Sequence, residues 1–250
     1  MSTGAQFESN ADTNRHVKWM QRRTTLSPME LEAVIFDLDN TLVDSRHDYR
    51  EMSSRLREVF EKRGLWQEDP ENPRKIWEIV RGGMEGIRTL GLPEAESRKL
   101  MDEVNDALTA AELSALETAK PMPNSVETLE AIRGLGLKVG IATRSGAAYA
   151  RRCIEKTGLA PYVGAMLARD EVDHPKPSPD HLIQVVKMLE TAPERVIYIG
   201  DSTTDMSTAQ AAGIKFLGFW WSDERAERMK EAGCKDFVRD LMEILDFIKK

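Results

Sequence analysis

The chain has 250 residues, 41% hydrophobic and 31% charged, with a net charge of -7 at pH 7. That balance fits a globular protein with a real core, and the acidic surplus argues against general affinity for nucleic acid or anionic membranes. No apolar run approaches the roughly 20 residues of a membrane-spanning helix, and Cys153 and Cys234 are too few for a disulfide framework, which points to a reducing cytoplasm.

Residues 1–29 read as a polar extension without the apolar segment of a secretion signal. Its one basic cluster, "RHVKWMQRR", reads as solvated. The first apolar run, "AVIFD" (33–37), has the continuous hydrophobicity of a strand buried on both faces. It ends in Asp37, with Asp39 two positions on. Two like charges at the foot of a buried strand are expensive and need a partner. A solvated turn or helix cap is the bland alternative for that pair.

From 45 to 119 the pattern is helical, in "DYREMSSRLREVFEKRG" and "ESRKLMDEVNDALTAAELSALETA", divided by Pro70, Pro73, Gly82, Gly83, Gly86, Gly91 and Pro93. The chain returns through "KPMPNS". Strand candidates "LKVGIAT" (137–143), "VGAMLA" (163–168, a weaker one), "RVIYIG" (195–200) and "IKFLGF" (214–219) then alternate with helices over 125–136, 146–158 and 179–192. The last segment, "DFVRDLMEILDFIKK", repeats apolar residues at helical spacing. Such alternation predicts an α/β protein: a Rossmann-like parallel sheet core in segments 30–44 and 120–250, with an all-helical domain, 45–119, inserted after the first strand.

In an open parallel sheet the carboxyl ends of the strands share one edge, where ligands bind. Asp37 and Asp39 close the first run, Thr143 the second, and Asp201 with Asp205 follows "VIYIG". Lys176 lies in "HPKPSPD", a loop that Pro175, Pro177 and Pro179 stiffen. Four clusters distant in sequence therefore converge on one place.

These four motifs, "DLDNT", Thr143 in "IATRS", Lys176 in "HPKPSPD" and "GDSTTD", resemble in order those of the haloacid dehalogenase superfamily. The start "DNTLVDS" and the "AQAAG" after the last motif are similar to its phosphoglycolate-phosphatase-like branch. The resemblance runs from about residue 31 to 250 and is weakest in the insertion. It implies that Asp37 attacks phosphorus and carries an aspartyl phosphate, while Asp39 acts as general acid and then general base. Thr143 and Lys176 would hold the phosphoryl oxygens and balance their charge. Mg2+ suits the carboxylates, with Asp37, Asp201 and the Asp39 backbone carbonyl as ligands. Asp205 is a metal residue or a supporting one, unless it merely caps its helix. Ser202 also lies in the last motif loop.

Two departures stand out. Asn40 occupies a position that is most often Gly, and Asn tolerates the left-handed conformation. Arg144 either touches an anionic substrate or points into solvent. The helical insertion would be a mobile cap, in which Arg81 and Arg88 bracket "GGMEGI" and either bind a substrate carboxylate or decorate a capping turn. His47 and the tryptophans at 220–221 lie near the motifs, and core packing accounts for the tryptophans. The resemblance implies an Mg2+-dependent hydrolase of small phosphorylated metabolites, phosphoglycolate-like ones included. A phosphomutase or a non-catalytic phospho-ligand binder stands as the alternative, and a dehalogenase needs neither Asp39 nor a metal.

Overall fold

The computed structural model describes residues 31–65, 79–80, 82–83, 86–87, 89, 91–220 and 222–248. In chain order these form β1 (Ala33–Phe36), β2 (Val43–Asp44), α1 (Tyr49–Glu61), α2 (Glu94–Ser114), β3 (Lys120–Pro121), α3 (Ser125–Gly134), β4 (Lys138–Ala142), α4 (Ala147–Lys156), β5 (Ala165–Leu167), α5 (Pro179–Met188), β6 (Val196–Gly200), α6 (Thr203–Ala212), β7 (Lys215–Phe219), α7 (Asp223–Glu231), β8 (Phe237–Val238) and α8 (Glu243–Ile248). Six strands make a parallel sheet in the order β5-β4-β1-β6-β7-β8.

The sheet is buried on both faces, which is why its inner strands read as unbroken apolar runs. Val34 and Phe36 of β1 pack with Leu129 and Ile132 of α3, Tyr149 and Cys153 of α4, and Ile244 of α8. Ala33 and Ile35 point the other way, into Leu182 and Val185 of α5 and Ala209 of α6. Each fully buried aliphatic side chain of this kind contributes about 1.5–3 kcal/mol.

Register places the chemistry. Phe36 pairs with Ile141 on one side and Ile199 on the other. Asp37, Thr143 and Asp201 therefore leave the sheet at nearly the same level, on its carboxyl edge. The Asp37 N–H still donates to the Ile199 carbonyl at 2.8 Å, and the Thr143 N–H to Leu167 at 3.1 Å.

The helical insertion has its own core. Leu56 and Phe60 of α1 pack on Leu100, Val104 and Leu108 of α2, together with Ile79 and Ile87. Among the described residues between 45 and 119 there is no strand. The chain enters and leaves this region side by side, because β2 pairs antiparallel with β3, Val43 opposite Pro121.

One element differs from its sequence pattern. The last segment is not helical throughout: Phe237–Val238 is an edge strand, and the helix begins only at Glu243. The Gly218 N–H donates to Asp236 at 2.9 Å and the Trp220 N–H to Val238 at 3.0 Å. Pairing with β7 overrides the local helical period there. Trp220, buried, stacks on Phe237 with ring centroids 4.1 Å apart, while Trp221 lies outside the described residues. Cys153 and Cys234 are both free thiols. No helix among the described residues is long and apolar enough to cross a membrane.

Candidate active site

Asp37 sits just past β1, 7% exposed. Lys176, whose peptide to Pro177 is cis, reaches it from the loop before α5: Nζ donates to Asp37 Oδ1 at 2.6 Å, to Asp205 Oδ1 at 2.7 Å and to the Tyr198 hydroxyl at 2.8 Å. The ammonium is 1% exposed, so these bonds operate in a low local dielectric. Burial raises the Asp37 pKa to about 7, against the opposing pull of Lys176. Asp205 is also penalised by burial, but Lys176 outweighs that and holds its pKa below the usual carboxylate value.

The lysine loop is itself held. The Lys176 N–H donates to His181 Nδ1 at 3.2 Å, and His181 Nε2 lies 3.0 Å from the Leu167 carbonyl. This arrangement fixes the imidazole as the Nε2–H tautomer.

Asp201 and Asp205 come from the turn between β6 and α6. Ser202 caps α6 in a capping box: the Asp205 N–H donates to Ser202 Oγ at 3.2 Å, and the Ser202 N–H to Asp205 Oδ2 at 3.2 Å. Asp205 also accepts from the Tyr198 hydroxyl at 2.7 Å. Both its oxygens are thus engaged by protein donors, and the helix-capping reading of Asp205 is met. Gly200 makes room for this carboxylate, since a Cβ there would lie 2.6 Å from the Asp205 Cβ. The Asp201 carboxylate forms an ion pair with Arg225 of α7, Nη1 to Oδ2, and Oδ2 has no aligned hydrogen-bond donor.

Asp37, Asp201 and Asp205, all buried, each offer an oxygen within 4.8 Å of the others. Buried hard donors at that spacing could hold a divalent cation, and the donor set fits Mg2+. Asp37 and Asp201 would be the better direct ligands, because both Asp205 oxygens are already engaged by protein donors.

Asp39 faces a different set of donors. Ser145 Oγ donates to its Oδ2 at 2.6 Å, the Tyr149 hydroxyl to Oδ1 at 3.2 Å, and His47 Nε2 sits 3.0 Å from Oδ1. Thr143 Oγ1 reaches Oδ2 only at 3.4 Å, and accepts from the Ser145 N–H at 3.0 Å. Burial opposes ionisation of Asp39, yet His47 first and Ser145 after it outweigh it and lower the pKa. Burial likewise opposes the imidazolium, and Asp39 outweighs it to raise the His47 pKa. Asn40, beside it, has φ 62°, the left-handed turn its residue type tolerates.

Asp37, Asp39, Thr143, Lys176, Asp201 and Asp205 therefore gather at one edge. The Arg144 side chain is exposed, and its carbonyl accepts from Arg169. Arg81 and Arg88 lie outside the described residues. Tyr198, His181, Ser145, Tyr149 and Arg225 were not singled out by sequence. Ser145 alone carried a signal, as the last residue of "IATRS".

The chain belongs to the haloacid dehalogenase-like hydrolases: the family model of that description matches residues 34–219. It is a hydrolase with phosphatases among its curated relatives. One is the N-acetylmuramic acid 6-phosphate phosphatase of Pseudomonas aeruginosa, 26% identical over 226 residues, 87% of this chain and 96% of that protein. Another is the phosphoglycolate phosphatase of Escherichia coli, 29% identical over 76% of this chain and 81% of that protein. Among solved structures, a putative beta-phosphoglucomutase from Thermotoga maritima superposes with a TM-score of 0.57 at 25% identity, covering 88% of this chain and 99% of that one.

Proposed function

We propose that the protein is an Mg2+-dependent phosphatase that hydrolyses small phosphomonoesters through an aspartyl phosphate on Asp37. The supporting observation is the buried trio Asp37, Asp201 and Asp205, the first and last bonded to Lys176, at the sheet edge where parallel α/β proteins bind ligands. Three buried carboxylates against the Lys176 ammonium and the Arg225 guanidinium still carry surplus negative charge, which a dianionic phosphate would worsen unless a further cation joined them. Asp37, Asp201 and the Asp39 carbonyl would hold Mg2+, and the bound ion would neutralise charge on the phosphoryl oxygens.

The chain's own groups supply the rest. Lys176 fixes Asp37 Oδ1 and so orients the carboxylate for attack. The Asp37 oxygen bonds to phosphorus as the ester oxygen departs, and Asp39 in its acid form gives that oxygen a proton. Asp39, now a carboxylate, takes a proton from water, which attacks phosphorus and breaks the bond to Asp37. Thr143 and the Arg144 N–H receive the phosphoryl oxygens, the Ser145 and Gly146 N–H groups being engaged by Thr143 and Glu112. Residues 45–119 act as a cap on a core of 30–44 and 120–250, shielding the phosphoryl group from water during the first step.

Both of these relatives act on small phosphorylated acids or sugars by name, so the substrate class is a small phosphorylated metabolite. A panel of such esters with and without Mg2+, phosphoglycolate and N-acetylmuramic acid 6-phosphate included, tests the proposal; no release of phosphate from any would refute it. The beta-phosphoglucomutase neighbour favours one second reading, transfer of the phosphoryl group back to a sugar. Time-resolved product analysis with a hexose phosphate separates the two.

A further inference from the structure

Lys176 serves Asp37 and Asp205, and the third carboxylate of the cluster takes its cation from elsewhere. Asp201, 6% exposed, is paired with Arg225. A buried carboxylate without a partner is strongly destabilising, so this ion pair stabilises the fold whenever no metal is present. The guanidinium cannot lose its proton, and two cations on one carboxylate oxygen repel.

We propose that Arg225 is a resident competitor for the metal site: its guanidinium holds Asp201 Oδ2 and must leave that oxygen before a divalent cation can take it. The inference rests on the metal-dependent reading given above and adds a regulation to it. Arg225 can yield by side-chain motion alone. Its helix is anchored through Ala226 and Met229, which pack with Trp220, while its own side chain is 29% exposed and has solvent to enter. The site thus has two states, closed by arginine when metal is scarce and open to metal when it is abundant, and the arginine raises the concentration at which metal binds.

The sign of the effect separates this role from that of a ligand or a packing residue. Removing a ligand weakens metal binding, whereas removing a competitor tightens it. Calorimetric titration of Mg2+ into the metal-stripped full chain is the test, comparing wild type with Arg225→Gln, Arg225→Lys and Arg228→Gln. Arg228 lies on the same helix, paired with Glu224 at 2.7 Å and exposed, so its loss removes equal charge without touching Asp201. Arg225→Gln is expected to bind Mg2+ roughly fivefold tighter than wild type, Arg225→Lys to fall between, and Arg228→Gln to match wild type. Without metal Arg225→Gln should melt below wild type, and saturating Mg2+ should close that gap.

Unchanged or weaker binding in both Arg225 variants overturns the proposal, as does equal tightening in Arg228→Gln. If the glutamine variant does not fold, the lysine variant decides. Wild-type protein that binds neither Mg2+ nor Mn2+ overturns the metal reading itself, whereas normal wild-type binding with unaltered variants overturns only the competitor role.

Discussion

Nε2 of His47 lies 3.0 Å from Oδ1 of Asp39, joining the chain segment that enters the helical insertion to the proposed acid of the reaction. The imidazole is buried among Tyr149, 4.9 Å away by ring centroid, and Tyr49 at 6.2 Å. The pair shares one proton: Asp39 rests as a carboxylate beside the His47 imidazolium, and takes that proton back to act as the acid. His47 acts as a positioning residue whose loss leaves the leaving group without a well-placed proton. His47→Gln should lower kcat roughly tenfold for alkyl phosphates, while aryl phosphates, whose leaving groups need no proton, should be nearly unaffected. Equal losses for both substrate types would show that His47 only supports the fold.

Asp37 and Asp39 separate in their effects as nucleophile and acid–base group should. Asp37→Asn keeps a hydrogen-bond acceptor for Lys176 but lacks a nucleophilic carboxylate. Its turnover should fall by a factor on the order of 10^4 or more with an unchanged circular dichroism spectrum. Asp39→Asn should still accumulate phosphoenzyme from an aryl phosphate, seen by intact mass, because attack on a good leaving group needs no acid. Wild-type hydrolysis by Asp37→Asn would remove the nucleophile assignment.

Much of the fold, and the gathering of the polar clusters at one sheet edge, was legible in the sequence, for identifiable reasons. Strands β1, β4 and β6 are buried on both faces, so their residues advertise themselves as apolar runs, and aspartates ending such runs have few explanations other than a ligand site. Asn40 announced its left-handed turn by residue type. What escaped notice depends on tertiary contacts. Tyr198 reads as core in "VIYIG", and only its hydroxyl, bonded to Asp205 at 2.7 Å, sets it apart. Arg225 lies in a charged helix where each charge looks solvated. The two residues of β8 become strand only because β7 offers them hydrogen bonds.

A buried ion pair fastens the insertion to the sheet. Glu112 of α2, 1% exposed, accepts from the Gly146 N–H at 2.8 Å and from Arg169 Nη1 at 2.7 Å, while Arg169 Nε donates to Asn105 at 3.0 Å. Arg169→Met leaves Glu112 as an unpaired buried charge, and should destabilise the protein by roughly 3 kcal/mol in urea unfolding. Adding Glu112→Gln should recover part of that loss, because a neutral amide tolerates burial better. A double variant as unstable as the single one would assign the effect to lost packing.

Stability should also depend on pH through His181. Burial first, and the Lys176 charge second, push its pKa down to about 4, against 6.5 for an ordinary histidine. Between those values the unfolded chain binds a proton that the folded chain refuses. The contribution to stability is therefore intact above about pH 6.5 and is lost as pH falls toward 4, by roughly 3 kcal/mol at most. His181→Gln retains an acceptor for the Lys176 N–H without titrating. Unfolding of both proteins by urea at pH 7.5, 6 and 5 should give curves that converge as pH falls, because wild type alone carries this penalty while all carboxylates are common to both. A stability difference constant across that range would mean that His181 accepts a proton in the folded state as readily as in the unfolded one.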